Sequence, residues 1–483
     1  MNYKTISYNV GRIMQLEAVF LLPPLIISLI FGEWRNVGAF ALSAAIALCA
    51  GALFTYVLGK NDKMIFAREG FAIVALAWIG ISLVGALPYV ISGEIPNYID
   101  AFFETVSGFT TTAATLIEDV EGLEQGILFW RSFTHWLGGM GVLVFIMAIF
   151  PQESGRAIHI MRAEMPGPSV GKLVPKIRET ARILYLIYIG ITVAETLILW
   201  CIGMPFYESL LHAFGTSGTS GFAIKADGIA SYAPHIQWVI MAFMLLGGIN
   251  FNLYYLIFVK QIKAVFKSTE LWIYFAIVAV AGAAVAVNIY PLYKDSGVGE
   301  TLRQAYFHVS SVITTTGYSI SNYDTWPGFS KMVLMALMFV GGCAGSTSGG
   351  IKISRFILVF KSIVRDIRQM LHPDAFSGIR YDGKKVDDKT IHGINAYFAI
   401  YCIVFFATLL LLSAEPFSFE TNFSATAACF NNIGAGFGGV GPYANYAAYS
   451  PFSKLLLSFA MLLGRLEIFP MLLVFTPLFW KSK

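Results

Sequence analysis

Four short stretches hold the groups in this chain that could bind a dehydrated cation. They are Ser107–Gly108–Phe109–Thr110–Thr111–Thr112–Ala113–Ala114–Thr115, Gly215–Thr216–Ser217–Gly218–Thr219–Ser220–Gly221–Phe222, Ser310–Ser311–Val312–Ile313–Thr314–Thr315–Thr316–Gly317–Tyr318 and Cys429–Phe430–Asn431–Asn432–Ile433–Gly434–Ala435–Gly436–Phe437. Each is too polar to face lipid, and its flanks are too apolar for a surface loop. They recur roughly 100 residues apart, a spacing that signals internal repeats. A cation that sheds its water needs oxygen ligands, most simply backbone carbonyls. Aiming carbonyls at an axis requires unusual backbone angles and no bulky side chain, hence glycine, while Thr and Ser add hydroxyl oxygens. Thr112–Ala113, Ser220–Gly221, Thr316–Gly317 and Ile433–Gly434 stand at equivalent points. The four loops are expected to meet at one axis and to coordinate a cation there.

The residues just before the loops fit the same picture. Asp100 and Glu104 lie thirteen and nine residues before Ala113; Glu208 and His212 precede Gly221, and Gln304 and His308 precede Gly317, by the same distances. A spacing of four puts each pair on one helix face. Thr421 and Ala425 take these places in the fourth unit, where the pattern fades. Such helices would turn their C-terminal ends, with about half a negative charge, toward the ion. The pairs themselves read as caps or braces rather than ion ligands.

A second anomaly is the run Gly341–Gly342–Cys343–Ala344–Gly345–Ser346–Thr347–Ser348–Gly349–Gly350–Ile351–Lys352, which interrupts an apolar span. Glycine costs about 1 kcal/mol per residue relative to alanine inside a helix, so this run should break it. It is not a phosphate-cradling loop, because Ile351 separates the last glycine from Lys352. It reads as a flexible plug beneath the four loops. Arg465, in Leu463–Gly464–Arg465–Leu466–Glu467, lies at a depth where a charge must face water or a partner. It could hold the plug by donating to its carbonyls, or simply pair with Glu467 or a neighbouring helix.

The elements that must position these groups are membrane helices. The chain is 57% hydrophobic and 13% charged, about half the charged fraction of an average soluble domain, and its mean hydropathy is +0.67. Its 5 cysteines are scattered singly without a CxxC spacing, which points away from a disulfide framework or a metal cluster. The first apolar segment runs into Pro23–Pro24 without a cleavage site, so no cleavable signal peptide is expected. Apolar segments near 13–31 and 36–59 form an N-terminal hairpin. Four units follow, each an apolar span, a short amphipathic segment, the polar loop and a second apolar span. Their spans lie near 69–92 and 127–151, 182–204 and 236–259, 271–290 and 329–360, and 392–413 and 451–480. The expected fold is therefore all-α, with ten transmembrane helices in four pseudo-symmetric helix–pore loop–helix repeats plus the hairpin. The expected boundaries are 1–60, 61–155, 156–262, 263–365 (with the interrupting loop at 341–350) and 366–483.

Basic residues fix an expected orientation. Lys60, Lys63 and Arg68, then Arg156, Arg162, Lys172, Lys176, Arg178 and Arg182, then Lys260, Lys263 and Lys267, and finally Lys361, Arg365, Arg368, Arg380, Lys384, Lys385 and Lys389 all fall in linkers on one side. Residues 414–450 contain no Lys or Arg. Both termini are then cytoplasmic, and the polar loops enter from outside.

At these residues the chain resembles the Trk/Ktr/HKT superfamily of potassium and sodium transporters, most closely the bacterial TrkH type. The resemblance rests on Trp136–Leu137–Gly138–Gly139–Met140–Gly141, Gly247–Gly248–Ile249–Asn250–Phe251, Gly341–Gly342–Cys343–Ala344–Gly345–Ser346–Thr347, Asn431–Asn432–Ile433–Gly434 and Gly464–Arg465–Leu466–Glu467–Ile468–Phe469, in this order along nearly the whole chain. It implies a potassium filter made by Thr111, Thr112, Ala113, Ser220, Gly221, Thr315, Thr316, Gly317, Asn432, Ile433 and Gly434. It implies a gate made by Gly342, Cys343, Ala344, Gly345, Ser346, Gly349, Gly350 and Lys352, with Arg465 beside it. It also implies a homodimer in the bacterial cytoplasmic (inner) membrane, seated on a cytosolic nucleotide-binding regulatory subunit of the TrkA type. This chain itself would bind K+ but neither an organic cofactor nor nucleic acid. Ala113 departs from the glycine usual in the bacterial family.

Two other readings stand beside this one. A sodium-permeable transporter, or one coupled to sodium or protons, could share the fold. An intramembrane serine protease would use Ser217 in Gly215–Thr216–Ser217–Gly218, with His212 or His308 as base. The recurrence of the loop argues against the protease, which needs only one.

Overall fold

The computed structural model describes residues 1–59, 67–141, 177–372 and 378–480. The N-terminal segment forms α1 (Tyr3–Phe20), α2 (Leu22–Phe31) and α3 (Trp34–Ala52). Asn2 caps α1 by accepting from the Thr5 N–H at 3.2 Å, and Pro23–Pro24 sit at the start of α2, where a missing N–H costs nothing. The first unit contains α4 (Ala67–Gly85), α5 (Tyr98–Phe109) and α6 (Gln125–Gly139); the second, α7 (Ile177–Cys201), α8 (Phe206–Gly218), α9 (Pro234–Gly247) and α10 (Phe251–Phe258). The third contains α11 (Thr269–Ile289), α12 (Val298–Ile313), α13 (Gly328–Phe339) and α14 (Ile353–Leu371), and the fourth α15 (Asp388–Leu412), α16 (Phe419–Phe430), α17 (Pro451–Arg465) and α18 (Phe469–Phe475).

Burial runs opposite to that of a water-soluble protein. Val193 and Leu197 on α7, Val280 and Val287 on α11, and Ile403 and Leu410 on α15 are exposed, whereas Glu104, Arg131, His135, Glu195, His212 and His308 are buried. Among the described residues, six helical stretches are long and apolar enough to cross a membrane: Tyr3–Phe31, Trp34–Val57, Arg68–Ser92, Ala181–Cys201, Thr269–Leu292 and Asp388–Leu412. The molecule is a multi-pass membrane protein.

The second helices of the first, second and fourth units depart from the sequence expectation by stopping or bending early, while that of the third stops at the interruption expected there. Helix α9 bends by 91° into α10 at Gly248–Ile249–Asn250, and the Asn250 side chain restarts the helix by accepting from the Asn252 N–H at 2.9 Å. Helix α6 ends at Gly139, α13 at Phe339 and α17 at Arg465. Beyond α17, Glu467 and Ile468 take positive φ, 56° and 67°. A count of ten crossings thus requires the broken pairs to be joined, and the continuation expected at 142–151 lies outside the described residues. The boundaries at 60/61 and 155/156 lie at or beyond that limit too, as do Lys60, Lys63, Arg156, Arg162, Lys172 and Lys176; the boundary at 365/366 falls inside α14.

Among the described residues, one two-stranded element is not helical. Arg380–Tyr381 pairs antiparallel with Lys384–Lys385. Asp382 and Gly383, at φ 45° and 77°, form the two-residue turn that this twist favours.

The units close into a ring. Helix α6 packs on α8, α9 on α12, α13 on α16 and α17 on α5. Each unit's second helix therefore supports the short helix of the next, and the fourth returns to the first. The N-terminal hairpin lies outside this ring. It is stitched on where the Glu33 carboxylate accepts from the Gln125 and Gly126 N–H groups at 2.6 and 2.9 Å, an anion at the N-terminus of α6.

Candidate functional site

The short helices α5, α8, α12 and α16 all end in the same Schellman motif. The N–H of Thr112 donates to Ser107 O at 2.9 Å and that of Thr111 to Gly108 O at 3.0 Å. The corresponding pairs are Ser220 to Gly215 O and Thr219 to Thr216 O, at 2.8 and 3.0 Å, and Thr316 to Ser311 O and Thr315 to Val312 O, at 2.8 and 3.0 Å. In the fourth loop Ile433 donates to Ala428 O and Asn432 to Cys429 O, at 2.8 and 3.3 Å. The left-handed residue of the motif is Thr111, Thr219, Thr315 or Asn432, at φ 57°, 52°, 55° and 57°. Three of these are β-branched, for which this region costs about 1–2 kcal/mol. Strain held at four equivalent points is the kind that accompanies a working site. It also turns the N–H groups back onto the helices, so that carbonyl oxygens are the main polar atoms left for a ligand.

The next residue but one is the central position. Ala113, Gly317 and Gly434 have φ 66°, 85° and 88°, whereas Gly221 stands outside the left-handed region. Ala113 takes this region despite its Cβ, which disfavours it. These residues also form a ring. A Cβ added to Gly221 would lie 2.4 Å from Thr316 O, one on Gly317 2.0 Å from Ile433 O, and one on Gly434 2.4 Å from Thr112 O. The second loop thus touches the third, the third the fourth and the fourth the first, in the order of the supporting helices. Hydroxyls order the ring further: Thr110 and Thr112 pair at 2.7 Å, Thr314 and Thr316 at 2.8 Å, and Asn432 Nδ2 donates to Thr112 Oγ1 at 3.0 Å.

The polar residues preceding the loops act as braces. Glu104 accepts from the Leu116 N–H at 3.0 Å, from Thr115 Oγ1 at 2.9 Å and from Arg131 Nε at 2.8 Å. His308 Nε2 lies 3.4 Å from the Ile320 N–H, and Ser424 Oγ accepts from the Phe437 N–H at 2.9 Å. His212 faces the hydroxyls of Tyr232 and Tyr318, at 3.1 and 3.4 Å. Ser217 is directed to Glu195, 3.5 Å away, so the serine–histidine contact of the protease reading is not made by His212 or Ser217. Asp100 pairs with Lys454 at 2.8 Å.

The interrupted span forms a loop directly against these motifs. Val340 and Ile351 bridge its base, with the Gly341 N–H 2.9 Å from Ile351 O, and Ile353 N–H donates to Gly342 O. Cys343 N–H donates to Gly248 O at 2.9 Å, Phe251 N–H to Gly345 O at 3.0 Å, and Ser346 Oγ to Cys343 O at 2.6 Å. Glu270 clasps both ends, accepting from Ala344 N–H at 2.8 Å and Ser354 N–H at 3.0 Å. At the top, Gly349 N–H donates to Thr315 Oγ1 at 2.6 Å, and a Cβ there would lie 2.5 Å from Asn431 O. Gly345 and Gly350 take φ 75° and 65°. Lys352 Nζ is buried and donates to Ser348 O and Gly349 O. Arg465 donates to Thr347 O at 2.9 Å and to the carbonyls of Gly138 and Gly139. Glu467 pairs instead with Arg355.

Two cavities flank the loops. One of about 120 Å³ touches Ala113, Gly221, Gly317 and Gly434. One of about 40 Å³, wide enough for water, is lined by Gly349, Gly350, Lys352 and Arg465.

Sequence reasoning missed Arg131 and His135, which reach from α6 into the second loop. Arg131 Nη1 donates to Ala223 O at 2.9 Å and its guanidinium lies 3.5 Å from the Phe222 ring centroid; His135 hydrogen-bonds the Ser220 hydroxyl. The available signal was two ionisable residues four apart in an apolar span, hence on one face.

A ring of four strained, carbonyl-presenting loops inside a multi-pass bundle defines a membrane protein built to handle a small cation. Comparison with known proteins agrees. The family model described as TrkH, cation transport protein, matches residues 37–482. The Trk system potassium uptake protein TrkH of Salmonella typhimurium is 34% identical, with 100% of both chains covered. TrkH of Escherichia coli K12 is likewise 34% identical over 100% of both chains. The crystal structure of the potassium transporter TrkH from Vibrio parahaemolyticus superposes with a TM-score of 0.89 at 30% identity, covering 100% of both chains. The chain belongs to the TrkH family of cation transport proteins.

Proposed function

We propose that this chain takes up potassium through a channel-like pore whose filter is the ring around Ala113, Gly221, Gly317 and Gly434. The observation that carries this is the repetition of one strained motif four times around one cavity, in a chain whose relatives are named potassium uptake proteins. The carbonyls of residues 111–113, 220–221, 315–317 and 432–434 would replace the water shell of the ion. The four units, with the broken second helices joined, and the hairpin would make ten crossings.

The loop 341–350 is the gate of this proposal. It seats Gly349 against the third and fourth filter loops, and Arg465 holds it from the first unit's side. Its hydrogen bonds come mostly from side chains and helix ends rather than a regular ladder, so it can be released without unfolding the bundle. A cytosolic nucleotide-binding subunit of the TrkA type would bias it, on a homodimer in the bacterial inner membrane with both termini cytoplasmic, as the basic linkers suggest.

The test is uptake of K+ or radiolabelled rubidium into proteoliposomes, with Na+ and Cs+ as competitors. Uptake that Na+ suppresses as strongly as K+ does would remove the potassium preference. A reversal potential following the K+ gradient alone supports a pore, whereas one that moves with pH or Na+ supports coupling.

A further inference from the structure

The four second helices can be aligned on the glycine lying against the loop region, namely Gly138, Gly247, Gly341 and Gly464. Seven residues earlier stand Arg131, Ile240, Leu334 and Leu457; three residues earlier stand His135, Met244, Met338 and Met461. All eight are buried. The other three units thus carry an Ile or Leu and a Met at these positions. The first alone offers a guanidinium and an imidazole.

The loop they meet is also the exceptional one. His135 hydrogen-bonds the hydroxyl of Ser220, and its ring stands edge-on to Phe222 at 4.1 Å between centroids. Arg131 holds Ala223 O and covers the other ring contact of Phe222. The second loop is therefore gripped at Ser220, Phe222 and Ala223, on both sides of Gly221, the one central residue outside the left-handed region. In the first and third loops the equivalent hydroxyls, on Thr112 and Thr316, pair with a threonine of their own loop instead. The coincidence of a unique clamp with a unique backbone state is not required by the ring, which the apolar versions support equally well.

We propose that Arg131 and His135 are positioning residues that hold the second loop in a backbone state different from its three siblings, and that this asymmetry sets how strictly the filter separates K+ from Na+. The inference rests on the filter proposed above. The clamp acts through the protein and touches no ion. It fixes where the carbonyls around Gly221 can point, and it keeps the Ser220 hydroxyl engaged with His135. Replacing His135 by the methionine of the other units frees that hydroxyl and loosens the loop, while keeping the packing volume that α6 needs.

The experiment compares reversal potentials in K+ and Na+ for the wild type, His135→Met, His135→Gln, Ser220→Ala and Met338→Leu in liposomes. One lost hydrogen bond is expected to lower the K+/Na+ permeability ratio about three- to tenfold in His135→Met and in Ser220→Ala. The double variant should lose no more than either single one, because both break the same bond. His135→Gln, which can still bond Ser220, should recover most of the ratio, and Met338→Leu should leave it unchanged. Ser220→Ala keeps the test alive if His135→Met fails to assemble. Wild-type potassium transport is read first in the same liposomes; its absence overturns the function and this inference together. Transport intact with an unchanged ratio in both His135→Met and Ser220→Ala overturns this inference alone.

Discussion

Replacing Arg465 by alanine should raise the basal flux of the isolated chain. The magnitude follows from which bonds distinguish the two loop positions. Arg465 donates to Thr347 O on the loop and to Gly138 O and Gly139 O on the frame. Of these three bonds the one to Thr347 is lost when the loop moves away, so it favours the seated position. A hydrogen bond to a charged group contributes about 1.5–3 kcal/mol. With tenfold per 1.4 kcal/mol, its removal shifts the equilibrium between seated and displaced loop about ten- to 150-fold. The rise in flux reaches that range only while the seated state still predominates, and it levels off once most chains are open.

Charge could act as well as bonding, since a guanidinium below the filter repels a cation. Two further variants separate these. Arg465→Gln keeps a donor without the charge, and Arg465→Lys keeps the charge without the planar fork. If the bond to Thr347 dominates, glutamine stays near wild type; if repulsion dominates, glutamine behaves as alanine and lysine stays closed. The assay is the initial rate of radiolabelled rubidium uptake into proteoliposomes containing this chain alone, normalised to reconstituted protein. An alanine variant whose rate falls or does not change would refute the reasoning that this contact holds the loop.

Three other outcomes follow from the same geometry. Gly317→Ala should abolish most uptake, because its Cβ would stand 2.0 Å from Ile433 O at φ 85°, whereas Gly299→Ala, with nothing within 4 Å, should be silent. Ala113→Gly should retain uptake and raise the K+/Na+ ratio, since it relieves a left-handed alanine that costs about 1–2 kcal/mol; unchanged reversal potentials would count against it. Arg131→Leu leaves the buried Glu104 carboxylate without its cation and should destabilise the protein by about 3–5 kcal/mol, read as a lowered Tm in detergent, with Glu104→Gln in the same chain recovering part of it.

The loops were legible because hydroxylated residues and glycines are conspicuous within apolar sequence, and because they recur. Their geometry was not. The left-handed residue of a Schellman motif is usually glycine, but here it is Thr111, Thr219, Thr315 or Asn432, so only the last carries a conventional signal. The break at 341–350 was legible from its run of glycines and serines. The breaks in α6, α9 and α17 were not, because one or two residues such as Gly138–Gly139, Gly247–Gly248 or Gly464–Arg465 do not interrupt a long apolar window. The β-hairpin was missed despite Asp382–Gly383, a strong turn signal, because it lies in a charged linker. Arg131 and His135 were missed because polar residues were sought in the loops rather than on the helices that support them.

The helix breaks and the gate charge are parts of one arrangement. A helix that stops leaves its last carbonyls without N–H partners. Three units stop at a glycine pair, Gly138–Gly139, Gly247–Gly248 and Gly341–Gly342; the fourth has Gly464–Arg465 in the same place. Where the others have a second glycine, the fourth projects a guanidinium, and its acceptors include Gly138 O and Gly139 O at the end of α6, Gly138 O also accepting from the Gly141 N–H. An arginine at this depth is costly unless its donors are satisfied, and an unbroken α6 would have kept those carbonyls for itself. The break in the first unit therefore makes the arginine of the fourth tolerable, and leaves Nη1 free to reach Thr347 in the third. Four identical subunits would place the same residue at every such point; a single chain can keep the ring of filter loops nearly regular while giving one quarter of it the charge and another the loop that charge holds.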